Sequence, residues 1–198
     1  MKNKKIIFIF LFLYLFKINS LGEEFKFESS EIQIIEKGNV VIVEKDVKIL
    51  AKDNLKIEAD KSKYNKKKNS LVVNGNVKII DENNGIIIRA EKINYYKNDE
   101  ILFTEGKSLV ELEKKYSINS SDLNLNRNSM KFSSKEKTII KDDKGYNFIL
   151  DEFSFDIKNK ILVGKNVYLK DLNNNKYYLE KINLNLNNYN FSGEKLNV

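Results

Sequence analysis

The chain has 198 residues and a net charge of +7, and it contains no His, Cys, Pro or Trp. Without His or Cys it lacks the commonest general base, the thiol nucleophile and the soft metal ligands, so disulfides and thiolate metal sites are excluded and catalysis is disfavoured. Residues 1–22 hold Lys2, Lys4, Lys5 and Lys17 and no acid, so the remainder carries +7 − 4 = +3, too balanced for the clustered basic face that nucleic acid requires.

The first residues, Met1-Lys2-Asn3-Lys4-Lys5, precede an apolar run from Ile6 to Phe16, and Ser20-Leu21-Gly22 follows with small residues two apart. Basic start, short apolar core and small residues at the cut define a secretory signal peptide. Residues 1–22 are expected to be removed after Gly22, with Ser20 as the alternative cut. The apolar run is well short of the ~20 residues a spanning helix needs; an uncleaved anchor is the competing reading. Residues 23–198 are then one domain, long enough to bury a core.

Beyond the leader the chain repeats itself. The unit is clearest from Ile57 to Asp81: a strand through Ile57-Glu58-Ala59-Asp60-Lys61-Ser62-Lys63-Tyr64, a polar turn over Asn65 to Asn69, and a second strand from Leu71 to Ile80. Taking Asp60 as marker, its equivalents are Ser30, Glu91, Ser121, Asp151 and Glu180, spaced 30, 31, 30, 30 and 29 residues by subtraction. Three before each marker stand Phe27, Ile57, Ile88, Ile118, Phe148 and Tyr177. Two after stand Ile32, Ser62, Ile93, Leu123, Phe153 and Ile182, and four after stand Ile34, Tyr64, Tyr95, Leu125, Phe155 and Leu184. Eleven after come Val41, Leu71, Leu102, Phe132, Leu162 and Phe191; Ser62 is the one polar residue in these four sets.

Within each unit apolar residues alternate with polar ones and are rich in Ile, Val and aromatics, which signals half-buried strands. Asn, Asp, Gly and Lys cluster at two phases of each repeat. One phase holds Asn65 to Asn69, Lys97-Asn98-Asp99 and Asn126-Arg127-Asn128; the other holds Lys52-Asp53-Asn54, Asp81 to Gly85 and Asp142 to Gly145. Asn, Asp and Gly tolerate the positive φ of tight hairpins. Each repeat is thus a hairpin, and six repeats predict about a dozen strands in an all-β fold. The triplet Lys66-Lys67-Lys68 falls in one of these turns and reads as solvated.

The apolar positions step by three residues across each marker, as from Ala90 to Ile93. In a flat strand an odd step sends the second pair to the opposite face. Both pairs can face one interior only if the first strand of each repeat bends or bulges at its polar marker. Stacked bent strands make a folded sheet with two leaves and an apolar slot between them. Its expected lining is Ile57, Ala59, Tyr64, Leu71, Val73, Ile88, Ala90, Tyr95, Leu102, Leu123, Leu125, Phe132, Phe153 and Phe155. The residues alone leave two readings of that lining open: a lipid slot, or the filled core of a structural exported β-solenoid.

The repeated strands Glu58-Ala59-Asp60-Lys61-Ser62-Lys63-Tyr64 and Arg89-Ala90-Glu91-Lys92-Ile93-Asn94-Tyr95, the following strand Leu71 to Ile79 with Gly75 inside, and its echo Leu102-Phe103-Thr104-Glu105-Gly106 resemble the OstA-like domain. That family comprises the lipopolysaccharide-transport proteins LptA and LptC and the periplasmic N-terminal part of LptD, and the resemblance covers Glu24 to Val198. Ser29-Ser30-Glu31-Ile32 is most similar to the LptD version. LptD continues into a large outer-membrane barrel and in some members carries linking cysteines; here the span is that of LptA or LptC, without cysteine. The resemblance implies a β-jelly roll of V-shaped antiparallel strands, open along one side. It would hold the acyl chains of lipopolysaccharide inside and leave the sugars in water. It further implies edge-strand addition to other OstA-like Lpt proteins, delivery to the outer-membrane translocon and a periplasmic location, with neither catalytic residues nor a metal or other cofactor. N-terminal sequencing of the exported protein should find Glu23 first; retention of Met1 would mark an anchored protein instead.

Overall fold

The structure is a computed structural model and describes residues 25–195; the expected signal peptide lies outside the described residues. The chain runs up and down through β1 (Phe25–Glu28), β2 (Glu31–Ile35), β3 (Val40–Ala51), β4 (Leu55–Asn65), β5 (Ser70–Asp81) and β6 (Ile86–Tyr96). It continues through β7 (Ile101–Leu112), β8 (Tyr116–Ser121), β9 (Asn124–Asn126), β10 (Lys131–Ser134) and β11 (Thr138–Asp142). The last strands are β12 (Asn147–Leu150), β13 (Glu152–Asp156), β14 (Ile161–Lys170), β15 (Lys176–Asn185) and β16 (Asn190–Glu194). All pair antiparallel in one sheet. β1 with β2, β8 with β9, β10 with β11 and β12 with β13 are single rungs broken at their corner, so 16 strands minus four breaks make the dozen rungs expected from the repeat.

Every rung before β16 folds at its middle into two arms, and the arms stack into two leaves; the described part of β16 is a single arm. The first leaf contains β1, β8, β11 and β12 and the arms of the long strands that pair with them. The second contains β2, β9, β10, β13 and β16 with the remaining arms. The burial pattern shows the bend. On β4, Leu55, Ile57 and Ala59 are buried, Asp60 and Lys61 are exposed, and Ser62 and Tyr64 are buried again. The three-residue step therefore keeps one inner face, and even Ser62 points inward.

The extra residue of each bend sits elsewhere than the odd step suggests. The β4–β5 ladder jumps from Glu58↔Lys78 to Lys61↔Asn74, three residues on β4 against four on β5. The β3–β4 and β6–β7 ladders likewise place the surplus on β3 and β7. First strands bend at their markers, and in these ladders the bulge belongs to the second strand of the hairpin. There the backbone adopts positive φ at Lys45 and Asp46, at Gly75 and Asn76 and at Gly106; β14, whose ladder to β15 keeps its register, adopts it at Asn166. The polar marker braces this corner: Asn76 Nδ2 donates to Asp60 Oδ2 at 3.0 Å, and Asn166 Nδ2 donates to Asp151 Oδ2 at 3.0 Å.

Turns at the outer ends of the second leaf stack in register. Lys66, Lys97, Arg127, Ile157 and Leu186 each donate a backbone N–H to the carbonyl of the preceding turn, at Asn39, Asn69, Glu100, Met130 and Lys160. Asn69, Glu100, Met130, Lys160 and Tyr189 close these turns in the left-handed region. That is the geometry of a hairpin turn ending in a left-handed residue.

Gly75 and Gly106 occupy equivalent bulges at φ +76° and +74°, but an added Cβ would lie 2.3 Å from Asp60 Oδ2 at Gly75 and meet nothing within 4 Å at Gly106. Gly106→Ala should cost about 1–2 kcal/mol, the left-handed term alone. Gly75→Ala should cost more, because the Asp60 brace must also move. Urea unfolding of the two variants checks the order.

Candidate functional site: the apolar interior and its mouth

All 14 expected lining residues face the space between the leaves. Ile57, Ala59, Ile88 and Ala90 stand on the first leaf; Tyr64, Leu71, Val73, Tyr95, Leu102, Leu123, Leu125, Phe132, Phe153 and Phe155 stand on the second. They belong to one continuous apolar core, in which Ala90 is the half-buried member and the others are buried. Rings meet across the gap: Phe25 lies edge-on to Tyr64 at 4.8 Å, and Tyr116 to Phe155 at 5.6 Å. Each such side chain contributes roughly 1.5–3 kcal/mol by leaving water.

At the fold line the interior turns polar. Thr104, Ser108, Ser120, Ser134 and Thr138 are all buried. Their hydroxyls serve backbone left unpaired where β8/β9 and β10/β11 break: Leu123 N–H donates to Thr104 Oγ1 at 2.9 Å, and Ser134 Oγ donates to the Ser121 carbonyl at 2.7 Å. Ser120 Oγ and Thr138 Oγ1 are 2.7 Å apart. A buried polar group without such a partner would cost on the order of 1–3 kcal/mol. A depression of about 540 Å³ reaches Ala90 from this side, between Lys78, Arg89, Leu109 and Asn119.

The opposite side, where the leaves' free tips meet, is the mouth. An interior open along one side is what the family resemblance implies; here three polar bridges close it. Arg127, on a second-leaf turn, donates through Nε and Nη2 to Asp81 Oδ2 of the first leaf at 3.3 and 3.2 Å. Lys160 reaches Glu113 Oε1 at 2.5 Å, and Tyr189 Oη donates to Asp142 Oδ2 at 2.6 Å. The partners are 46, 47 and 47 residues apart. In every bridge the first leaf supplies the acid and the second leaf the donor. Each tip meets a tip three rungs further along the stack. At ~4.8 Å per strand, the leaves are offset by about 14 Å.

The Arg127 bridge is the most buried, with side-chain exposure of 8% for Arg127 and 2% for Asp81. Arg127 Nη1 also donates to Glu100 Oε2 at 2.6 Å and to Tyr95 Oη at 3.1 Å. Tyr95 Oη donates to Glu100 Oε2 at 2.7 Å, and Lys97 pairs with the other Glu100 oxygen. Burial alone would push the Glu100 carboxyl up. Hydrogen bonds from Lys97 and Tyr95 and the charges of Lys97 and Arg127 outweigh it and hold the group below its ordinary value. Burial, with the bond to Glu100, pushes the Tyr95 phenol well up. Burial opposes the Arg127 charge, but Tyr95, Asp81 and Glu100 outweigh it and raise that group. At the third bridge burial and the bond to Asp142 push the Tyr189 phenol up. Its ring stacks on Tyr146 at 4.9 Å and receives Lys144 Nζ at 4.2 Å.

Sequence reasoning placed the lining and assigned Asp81, Asp142 and Arg127 to turns, but not to one another. One signal was present: Arg127 is one of two arginines among 35 basic residues, and Arg in place of Lys marks a site that needs a planar fork of donors.

No family model and no curated protein matches this chain. Among the solved structures that match is the crystal structure of LptH, described as the LptA-homologous periplasmic component of the lipopolysaccharide transport device from Pseudomonas aeruginosa. The two chains are 11% identical with a TM-score of 0.43, over 71% of this chain and 81% of that one. A likeness this loose carries no function across.

Removing Asp81 leaves the buried Nε and Nη2 donors of Arg127 without their acceptor, although Nη1 keeps Glu100, whereas exposed pairs contribute little. Asp81→Ala should therefore lower stability by about 1–3 kcal/mol. Glu82→Ala, which removes the exposed partner of Lys56, should cost under about 1 kcal/mol. Chemical denaturation of both variants checks the contrast.

Proposed function

We propose that this chain is a periplasmic module that binds lipopolysaccharide and passes it toward the outer membrane, holding its acyl chains between the two leaves. The observation that carries the reading is a single apolar interior running through the whole stack and, among the described residues, uncovered at both ends. At the N-terminal end the inward Ile32 and Ile34 of β2 are 46% and 65% exposed; at the C-terminal end Phe191 of β16, paired with the buried Leu184, is 51% exposed. The sequence resemblance to the OstA-like family supports the same reading, and the opening Ser29 to Ile32 favours the LptD type within it.

Among the described residues the stack also ends in unpaired edges: there β1 and β2 pair only with β3, and β16 only with β15. An exposed edge strand with apolar inner residues is a template for another sheet. Strand addition to other OstA-like Lpt proteins, and through them to the outer-membrane translocon, would join interiors end to end. The chemistry needed is burial alone, ~0.8 kcal/mol per CH₂, so no catalytic group or cofactor enters the reading.

The second reading, a structural β-solenoid without ligand, is favoured by the tight packing of the lining. The experiment that separates them places a photo-crosslinking amino acid at Ala59, Ala90 or Phe153, with Lys63 on the solvent face as control. Lipopolysaccharide should be captured from the three inner positions and not from Lys63; capture from none of them in the folded protein would leave the solenoid reading standing.

A further inference from the structure

The three bridges across the mouth have a polarity that closure alone does not require. Asp81, Glu113 and Asp142 all stand on the first leaf, and Arg127, Lys160 and Tyr189 on the second. The second-leaf side is also the better anchored. Arg127 keeps its Nη1 bonds to Glu100 and Tyr95, and its backbone N–H bond to the Glu100 carbonyl at 2.9 Å, whatever Asp81 does. Lys160 and Tyr189 occupy the left-handed position that closes their turns, at φ +57° and +58°. Bulky residues rarely adopt that conformation, and held strain of this kind concentrates at binding and switching sites.

The lining between the leaves is close-packed, so an acyl chain can enter only if the leaves part, and parting breaks these bridges. The charge that then loses its partner in a fixed geometry is the Arg127 guanidinium. The edge released by Asp81 is the Nε–Nη2 pair, the fork that matches a carboxylate or phosphate. Asp81, in contrast, retains two donors of its own turn, the backbone N–H and Nδ2 of Asn84.

We propose that the mouth bridges are latches that exchange partners on ligand entry: Arg127 and Lys160 leave Asp81 and Glu113 and bind the anionic head group of an amphiphile whose acyl chains lie between the leaves. This rests on the lipid-acceptor reading above and adds to it a head-group site and a condition for opening. An anionic head group replaces the acid that each cation loses; a neutral one leaves Lys160, and the Nε–Nη2 edge of Arg127, without an acid, although Arg127 keeps Glu100 on Nη1. The ligand class is therefore an acyl lipid bearing phosphate or carboxylate at its polar end.

The test uses the mature chain and two probes that differ only in the phosphate, 1-myristoyl lysophosphatidic acid and 1-monomyristoylglycerol, each in equilibrium dialysis below its micelle concentration. The phosphate-bearing lipid should bind about tenfold or more tightly, as expected for a charge-assisted hydrogen-bonded pair. Asp81→Asn should strengthen binding of both lipids by freeing the latch. Arg127→Gln should strengthen binding of the glyceride and abolish the preference for phosphate. Glu113→Gln and Lys160→Gln, at a less buried bridge, should repeat these opposite effects and serve if the first pair fails to fold. A preference unchanged in both Arg127→Gln and Lys160→Gln, or glyceride binding unchanged in both Asp81→Asn and Glu113→Gln, overturns the latch while leaving the lipid acceptor intact. Binding of neither lipid to any folded form overturns both.

Discussion

The structure depends on one constraint: each rung must turn a corner without turning its apolar residues out of the core. Side chains alternate along a strand, so a fold at mid-strand can keep one inner face only by altering that alternation. First strands spend two exposed residues at the corner, as at Asp60 and Lys61. Second strands spend one more and take it up as a bulge at positive φ, as at Gly75 and Asn76. Asp60 and Asp151 brace the neighbouring corner through Asn76 and Asn166. A marker that is polar in every repeat thus has a mechanical explanation, and the two-leaf shape follows from it.

Folding the sheet creates two unlike boundaries for one apolar interior. At the fold line broken ladders leave backbone groups needing partners, and Thr104, Ser120, Ser134 and Thr138 supply them from within the core. At the mouth the covalent chain does not connect the leaves at all, and closure rests on bridges between turns. The first boundary is continuous with the strands and cannot open without loss of the ladder. The second is made of side chains that can change partners, so it is the boundary along which the leaves can part.

If the interior accepts a lipid as proposed, stability and binding make conflicting demands on it. Burial of the lining residues holds the leaves together, while a lipid between the leaves would replace leaf-to-leaf contacts with contacts to acyl chains. The exchange is physically balanced, since an acyl chain offers the same kind of surface as the Leu and Phe side chains it displaces. Buried ion pairs are a poor source of stability compared with apolar packing. Arg127 and Asp81 at the mouth therefore make better sense as an interaction to be exchanged than as one added for strength.

The repeat, the strands, both phases of turns and the inward-facing set could be read from the amino-acid order, because each depends on contacts within about 30 residues and on period-two alternation. Even the bend was legible, since the three-residue apolar step from Ala90 to Ile93 is visible in one strand. The strand that carries the extra residue was not, because a bulge is a mismatch between two strands and appears only once their register is known. Still less accessible was the pairing of Asp81 with Arg127, Glu113 with Lys160 and Asp142 with Tyr189. It depends on the three-rung offset between the leaves, which is the same at all three bridges and joins tips 46 or 47 residues apart. No single repeat spans that distance, so the lining of the interior can be read from the amino-acid order, while what closes it emerges once the two leaves are stacked.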